Sequence, residues 1–160
     1  MIKLQRIGHI LLAVRDLERS KAFYTGILGF TVLEQDPEHG GVFLSLGDYG
    51  NTLDLFPSKS PDAHPDLPKG LDGTREGLGV RHTAFAVESE EELVRAYFAL
   101  KDAGVPIHDA RDHTSQKSIY FFDPDDNLLE IVWERPNVRE IFRQGRGDDD
   151  KPLMFERPAS

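Results

Sequence analysis

The chain has 160 residues, of which 39% are hydrophobic and ten are Phe, enough apolar material for one domain or two half-domains sharing a core. Nineteen basic residues against 28 acidic ones give a formal charge of −9 with no basic patch, which argues against nucleic acid as a partner. The absence of cysteine excludes disulfide frameworks, thiolate metal sites and cysteine nucleophiles. No apolar run approaches the roughly 20 residues that span a bilayer, and Met1 to Arg6 lacks the basic-then-apolar plan of a signal peptide. The expectation is a soluble, cytoplasmic protein with no membrane partner.

In chain order, Ile7 to Val14 is compact and apolar and predicts a buried strand. Asp16 suits the N-cap of a helix reaching about Leu28, with Leu17, Phe23, Tyr24, Ile27 and Leu28 as its apolar stripe and Gly29 at its C-cap. Strands are predicted over Phe30 to Glu34 and Gly41 to Leu46, joined by the turn-forming Asp36-Pro37-Glu38-His39-Gly40, and over Asn51 to Phe56. Pro57 to Gly79 is rich in Pro, Gly, Asp and Lys and predicts a linker.

The second half repeats that order. His82 to Val87 predicts a strand, and Ser89 caps a helix with Leu93, Tyr97, Phe98 and Leu100 on its apolar face, ended by Gly104. Strands follow near Val105 to Ala110, Ser118 to Phe122 and Leu128 to Trp133, with Asp123-Pro124-Asp125-Asp126-Asn127 as a turn. Beyond Arg135 the chain is charged and predicts a short helix around Val138 to Arg143, then a loose tail whose Asp148-Asp149-Asp150 run is solvated. His39 and His108 stand in turn-like contexts and are expected to be exposed, while Trp133, beside Ile131, is expected to pack.

Gly8-His9-Ile10-Leu11-Leu12-Ala13-Val14 is echoed by Arg81-His82-Thr83-Ala84-Phe85-Ala86-Val87, with the histidines 82 − 9 = 73 residues apart. Asn51-Thr52-Leu53-Asp54-Leu55-Phe56 is echoed by Asn127-Leu128-Leu129-Glu130-Ile131-Val132, with the carboxylates 130 − 54 = 76 apart. Side chains alternate along a strand, so His9 shares a face with Leu11 and Ala13, and His82 with Ala84 and Ala86. Asp54 and Glu130 likewise sit opposite the apolar packing face of their strands. A lone strand His is usually a satisfied hydrogen-bonding residue and a lone strand Glu usually faces water. Matched placement in both halves points instead to a divalent-metal site built from His9, His82 and Glu130, with Asp54 as an uncertain fourth member.

The opening Gly8-His9, Asp16-Leu17-Glu18-Arg19-Ser20-Lys21-Ala22-Phe23-Tyr24 and Leu28-Gly29-Phe30 resembles the first module of the vicinal oxygen chelate superfamily, which includes glyoxalase I, extradiol dioxygenases and bleomycin resistance proteins. Arg81 to Val87 resembles its second-module opening, and Ile119-Tyr120-Phe121-Phe122-Asp123-Pro124-Asp125-Asp126-Asn127-Leu128-Leu129-Glu130 its closing motif. The resemblance implies an α+β fold of two βαβββ modules whose curved mixed sheet forms a cup around a metal. It covers one domain over residues 1–136, with module one at 5–57, a linker at 58–79 and module two at 80–135, and leaves residues 137–160 as a charged helix and tail. Many small members are homodimers, so a homodimer is expected.

His113, Ile119-Tyr120, Asp123-Pro124 and Glu130 resemble the extradiol dioxygenase signature. The resemblance implies that His9, His82 and Glu130 bind Fe(II), and that His113 and Tyr120 contact substrate. Arg111 stands where the signature has a small or apolar residue, Asp126 replaces its usual glycine, and Leu67 stands near the place of its acid/base histidine, with His64 nearby. Three ligands leave room for a catecholate and dioxygen. Four ligands, Asp54 included, suit a glyoxalase I-like lyase, epimerase or isomerase using Zn, Ni, Co or Mn, where glyoxalase I also places a carboxylate. A metal-free, bleomycin-resistance-type binding protein for small molecules is the third reading.

Overall fold

The computed structural model describes residues 1–35, 40–59, 80–145 and 150–157, and the chain divides into two compact units, Met1–Pro65 and Asp66–Ser160. The first unit runs β1 (Ile10–Val14), α1 (Leu17–Gly26), β2 (Thr31–Gln35), β3 (Val42–Ser45) and β4 (Leu53–Pro57), with the sheet ordered β1-β4-β3-β2. The second runs β5 (Thr83–Ala86), α2 (Glu90–Asp102), β6 (Ile107–Asp112), β7 (Gln116–Phe122), β8 (Leu128–Glu134), α3 (Val138–Gln144) and β9 (Lys151–Pro152), ordered β5-β8-β7-β6-β9. Each is a βαβββ unit with one parallel pair, β1 with β4 and β5 with β8, and antiparallel neighbours elsewhere. The expected α+β class therefore stands. Pro57, read as the start of the linker, ends β4; residues 60–79 of the linker, with His64 and Leu67, and residues 36–39 of the turn lie outside the described residues.

Local chemistry sets the helix ends. Asp16 is extended, and its carboxylate accepts the Arg19 N–H at 3.0 Å; Ser89 accepts the Glu92 N–H at 3.1 Å in the same way. Gly104, at φ +75°, closes α2 by donating to Lys101 O while Val105 donates to Leu100 O, a glycine-dependent C-terminal lock. Phe23 and Tyr24 of α1 are buried with Phe30, Val42, Leu44, Leu53 and Leu55, and Leu93 and Leu100 of α2 with Ile119, Phe121, Leu129 and Ile131. Apolar burial of this kind is the main force holding each sheet to its helix.

The repeat extends to strand register. Asp54 lies opposite Leu11 and Phe43; Glu130 lies opposite Ala84 and Tyr120. Each carboxylate thus pairs with the residue two places after its histidine. A register irregularity falls between Val32 and Glu34 in one unit and between Ile107 and Asp109 in the other. His108 sits at that irregularity on β6, half-buried against the Phe122 ring, rather than on an exposed turn.

The units differ beside the carboxylates. Two residues before Tyr120 stands Ser118, and two before Phe43 stands Gly41, where an added Cβ would meet the Phe56 ring at 2.5 Å. Phe56 also packs edge-on against Phe43. Gly41→Ser is expected to cost about 1–2 kcal/mol by overpacking, with the loss largely recovered in a Phe56→Val background. Denaturation midpoints of the single and double variants check this.

The tail departs from the expected loose arm. Lys151–Pro152 adds an antiparallel edge to β6, and Phe155 stacks on Tyr97 with ring centroids 4.5 Å apart. Tyr97 and Phe98 on α2 are half-buried, Tyr97 against Phe155 and Phe98 beneath Arg157. Asp148 and Asp149 lie outside the described residues.

Candidate metal centre

His9 and His82 each stand one residue before their strand rather than within it, where Ile10 N–H donates to Thr52 O and β5 begins beside Leu129. Both imidazoles are substantially exposed, whereas the carboxylates below them are buried: Asp54 is 3% exposed and Glu130 3%. Leu11, Ala13, Ala84 and Ala86, on the same strand faces, are exposed as the parity argument requires. The two units thus each present a histidine over a buried carboxylate.

In the second unit His82 Nε2 lies 3.0 Å from Glu130 Oε2. The other carboxylate oxygen, Oε1, accepts from Ser118 Oγ at 2.5 Å, Tyr120 OH at 3.3 Å and Gln116 Nε2 at 3.4 Å. Gln116, Ser118 and Tyr120 alternate along β7 and so reach one face together. Tyr120 OH also lies 2.9 Å from His113 Nε2. Burial, first, and the Glu130 carboxylate push the Tyr120 phenol above its ordinary range. It therefore remains a protonated O–H donor at neutral pH. A raised tyrosine pKa stabilises the fold below the unfolded value, about 10, and that stabilisation is lost as pH climbs above it.

In the first unit the geometry is looser. His9 Nε2 is 3.6 Å from Asp54 Oδ2, beyond a hydrogen bond, and Asp54 Oδ1 accepts from Asn51 Nδ2 at 2.8 Å. Asp is one methylene shorter than Glu, which accounts for the longer reach. Asn127, the counterpart of Asn51, instead donates to Asp123 Oδ2 at 2.9 Å and ties the turn before β8. Asp126, at φ +64°, takes the left-handed conformation that explains glycine in the signature and that Asp tolerates better than most residues. Arg111, a second departure, binds Asp109 through Nε at 2.7 Å.

The turn carrying His113 is clamped from β8's end. Arg135 donates from Nη2 to both Asp112 oxygens at 2.7 and 3.0 Å and from Nε to Thr114 O at 2.8 Å, where Thr114 has φ +66°. Arg135→Ala is expected to cost about 1–3 kcal/mol through the lost charge-assisted bonds and to raise amide exchange over residues 113–116. Trp133 is half-buried beneath this clamp, with Arg135 5.8 Å and Lys117 5.9 Å from its ring centre.

The structure thus groups His82, Glu130, Tyr120 and His113 in one unit and His9 with Asp54 in the other. Among the described residues no three His, Asp or Glu side chains are gathered as a ready metal cage. The donor types still fit a divalent ion: in each unit a borderline imidazole stands by a carboxylate whose orientation is fixed by neighbours. Ser118, Gln116 and Asn51 were not singled out by sequence reasoning; two-residue spacing from Tyr120 could have found the first two.

The chain belongs to the Glyoxalase/Bleomycin resistance protein/Dioxygenase superfamily, whose model matches residues 6–131. It is 32% identical to the catechol-2,3-dioxygenase of Bacillus subtilis over 130 residues, covering 81% of this chain but 42% of that protein. It is 31% identical to the metallothiol transferase FosB of Lysinibacillus sphaericus, over 79% of this chain and 81% of that one. The crystal structure of a glyoxylase/bleomycin resistance protein/dioxygenase domain from Frankia sp. superposes with a TM-score of 0.66 at 27% identity, covering 86% of this chain and 99% of that one. No described helix is long and apolar enough to cross a membrane.

Proposed function

We propose that this chain is an extradiol-type ring-cleaving dioxygenase for a catechol-like small molecule, with Fe(II) held by His9, His82 and Glu130. The observation that carries this reading is the continuous run from His82 through Glu130 and Tyr120 to His113. Two imidazoles and one carboxylate are the donor set of non-haem ferrous oxygenases and leave positions open. When bound, such an ion provides the redox centre at which an aromatic diolate and dioxygen react, both oxygen atoms ending in the ring-opened product.

The residues around the ion have separable tasks. Ser118 holds Glu130 Oε1, which leaves Oε2 beside His82 Nε2 as the ligand pair. Tyr120 keeps its proton and donates to an oxygen in the site. His113, one hydrogen bond farther out, accepts or returns a proton on the substrate side. Anaerobic loading with Fe(II), then addition of catechols in air, should give a yellow ring-opened product with one dioxygen consumed per turnover. Absence of both colour and oxygen uptake across simple and substituted catechols would exclude the reading.

One observation favours a second reading. Asp54 is buried beneath His9 at 3.6 Å, so a second carboxylate stands beside a proposed ligand, as a four-ligand, glyoxalase-like isomerase needs. Its engagement by Asn51 favours instead a supporting role, holding His9. Asp54→Ala should lower metal affinity about 10–100-fold if supporting. Retention of a zinc or nickel ion by wild type only, with hemithioacetal isomerisation, would establish the alternative.

A further inference from the structure

The last described segment reaches back to His113. Lys151 and Pro152 pair with Asp112 and Arg111, and Leu153 N–H donates to Ala110 O at 3.0 Å. Arg157 then binds both Asp102 oxygens at 2.7 and 3.1 Å and lies over the Phe98 ring. Anchored this way, the arm sets Asp150, the residue before β9, with Oδ2 2.9 Å from His113 Nδ1. The opposite ring nitrogen, Nε2, is the one 2.9 Å from Tyr120 OH. The imidazole is mostly buried, with its side chain 14% exposed, and the carboxylate closes one side of it.

A carboxylate only accepts, so a histidine pressed against it carries its proton on the facing nitrogen. We infer that Asp150 is a positioning residue, and that the C-terminal arm completes an Asp150–His113–Tyr120 relay by fixing the ring and tautomer of His113. This rests on the substrate-side role of His113 proposed above. The 2.9 Å contact is off the hydrogen-bond line, so the carboxylate acts by its charge in favouring the proton on Nδ1. Nε2 then accepts the Tyr120 O–H at 2.9 Å in preference to the longer contact with Glu130 Oε1 and is the nitrogen that faces the site. The acidic residue nearest the tail's β9 thus serves the site rather than solvent.

The test is long-range proton–nitrogen correlation of the imidazoles in the full chain without added iron, together with turnover of an Fe(II)-loaded sample. Wild type should show His113 protonated at Nδ1, and Asp150→Asn should convert it to a mixture of tautomers. Asp150→Asn should lower kcat about tenfold with unchanged iron content and a KM within twofold, and Asp150→Glu should recover part of the loss. Arg157→Ala, which loosens the arm without touching His113, should shift both readouts in the same direction but less. An unchanged tautomer in Asp150→Asn, or an unchanged kcat in an active enzyme, overturns the inference. A wild type inactive on every catechol instead overturns the dioxygenase reading, and the tautomer still decides whether Asp150 positions His113.

Discussion

If Glu130 is a ligand as proposed, Glu130→Gln is expected to abolish divalent-metal binding while leaving the fold intact. The amide keeps the volume of a residue that is buried on β8 between Ala84 and Tyr120, and its carbonyl can still accept from Ser118 and Tyr120. What it loses is the negative charge that the proposed ligand set offers a divalent ion. Supporting residues typically cost 10–100-fold in affinity, so loss of a ligand should exceed 100-fold. Metal-to-protein ratio after gel filtration reads this directly, and the unfolding free energy from denaturant titration should fall by no more than about 1–3 kcal/mol. Glu130→Ala is harsher, because it strands the donors of Ser118, Tyr120 and Gln116. Stoichiometric metal in folded Glu130→Gln contradicts the ligand assignment.

His113→Ala should do the opposite, keeping the metal and losing the reaction. His113 touches Tyr120 and Asp150 and no proposed ligand, so its removal leaves the His82–Glu130 pair in place. Loss of a positioned general acid or base costs about 10²–10⁴-fold, and the loss should fall on kcat with bound iron unchanged. Tyr120→Phe should lower kcat less while perturbing Glu130, since the phenol bridges the two. A His113→Ala enzyme with wild-type kcat removes the histidine from the chemistry.

Much of the fold was legible because each unit uses local signals that tertiary contacts do not override. Asp16 and Ser89 cap the helices, Gly104 ends one, and strict alternation put Glu130 on the face opposite Leu129 and Ile131. The repeat in His9/His82 and Asp54/Glu130 carried into strand register, which sequence spacing alone does not fix. Less legible were contacts that depend on chain return. Phe155 and Arg157 look like tail composition, yet Tyr97 and Phe98 on α2 supply the surface they cover. Asp150 looked solvated for the same reason. Gly41 carried no sequence signal, because its requirement comes from where the Phe56 ring lies.

The asymmetry between the units concerns the chemistry. Glu130 is held by a serine, a phenol and an amide; Asp54 is held by Asn51 and lies farther from its histidine. One additional methylene and a serine in place of Gly41 separate the carboxylate proposed as a metal ligand from the one proposed to steady its histidine.

The most direct measurement is metal identity and coordination in anaerobically purified protein, by elemental analysis with X-ray absorption on wild type and Asp54→Ala. The expected result is ferrous iron bound by two histidine nitrogens and one carboxylate, with the same ligand set in Asp54→Ala at reduced affinity. Zinc or nickel bound by two carboxylates in wild type, with one of them lost in Asp54→Ala, would contradict a three-ligand ferrous site.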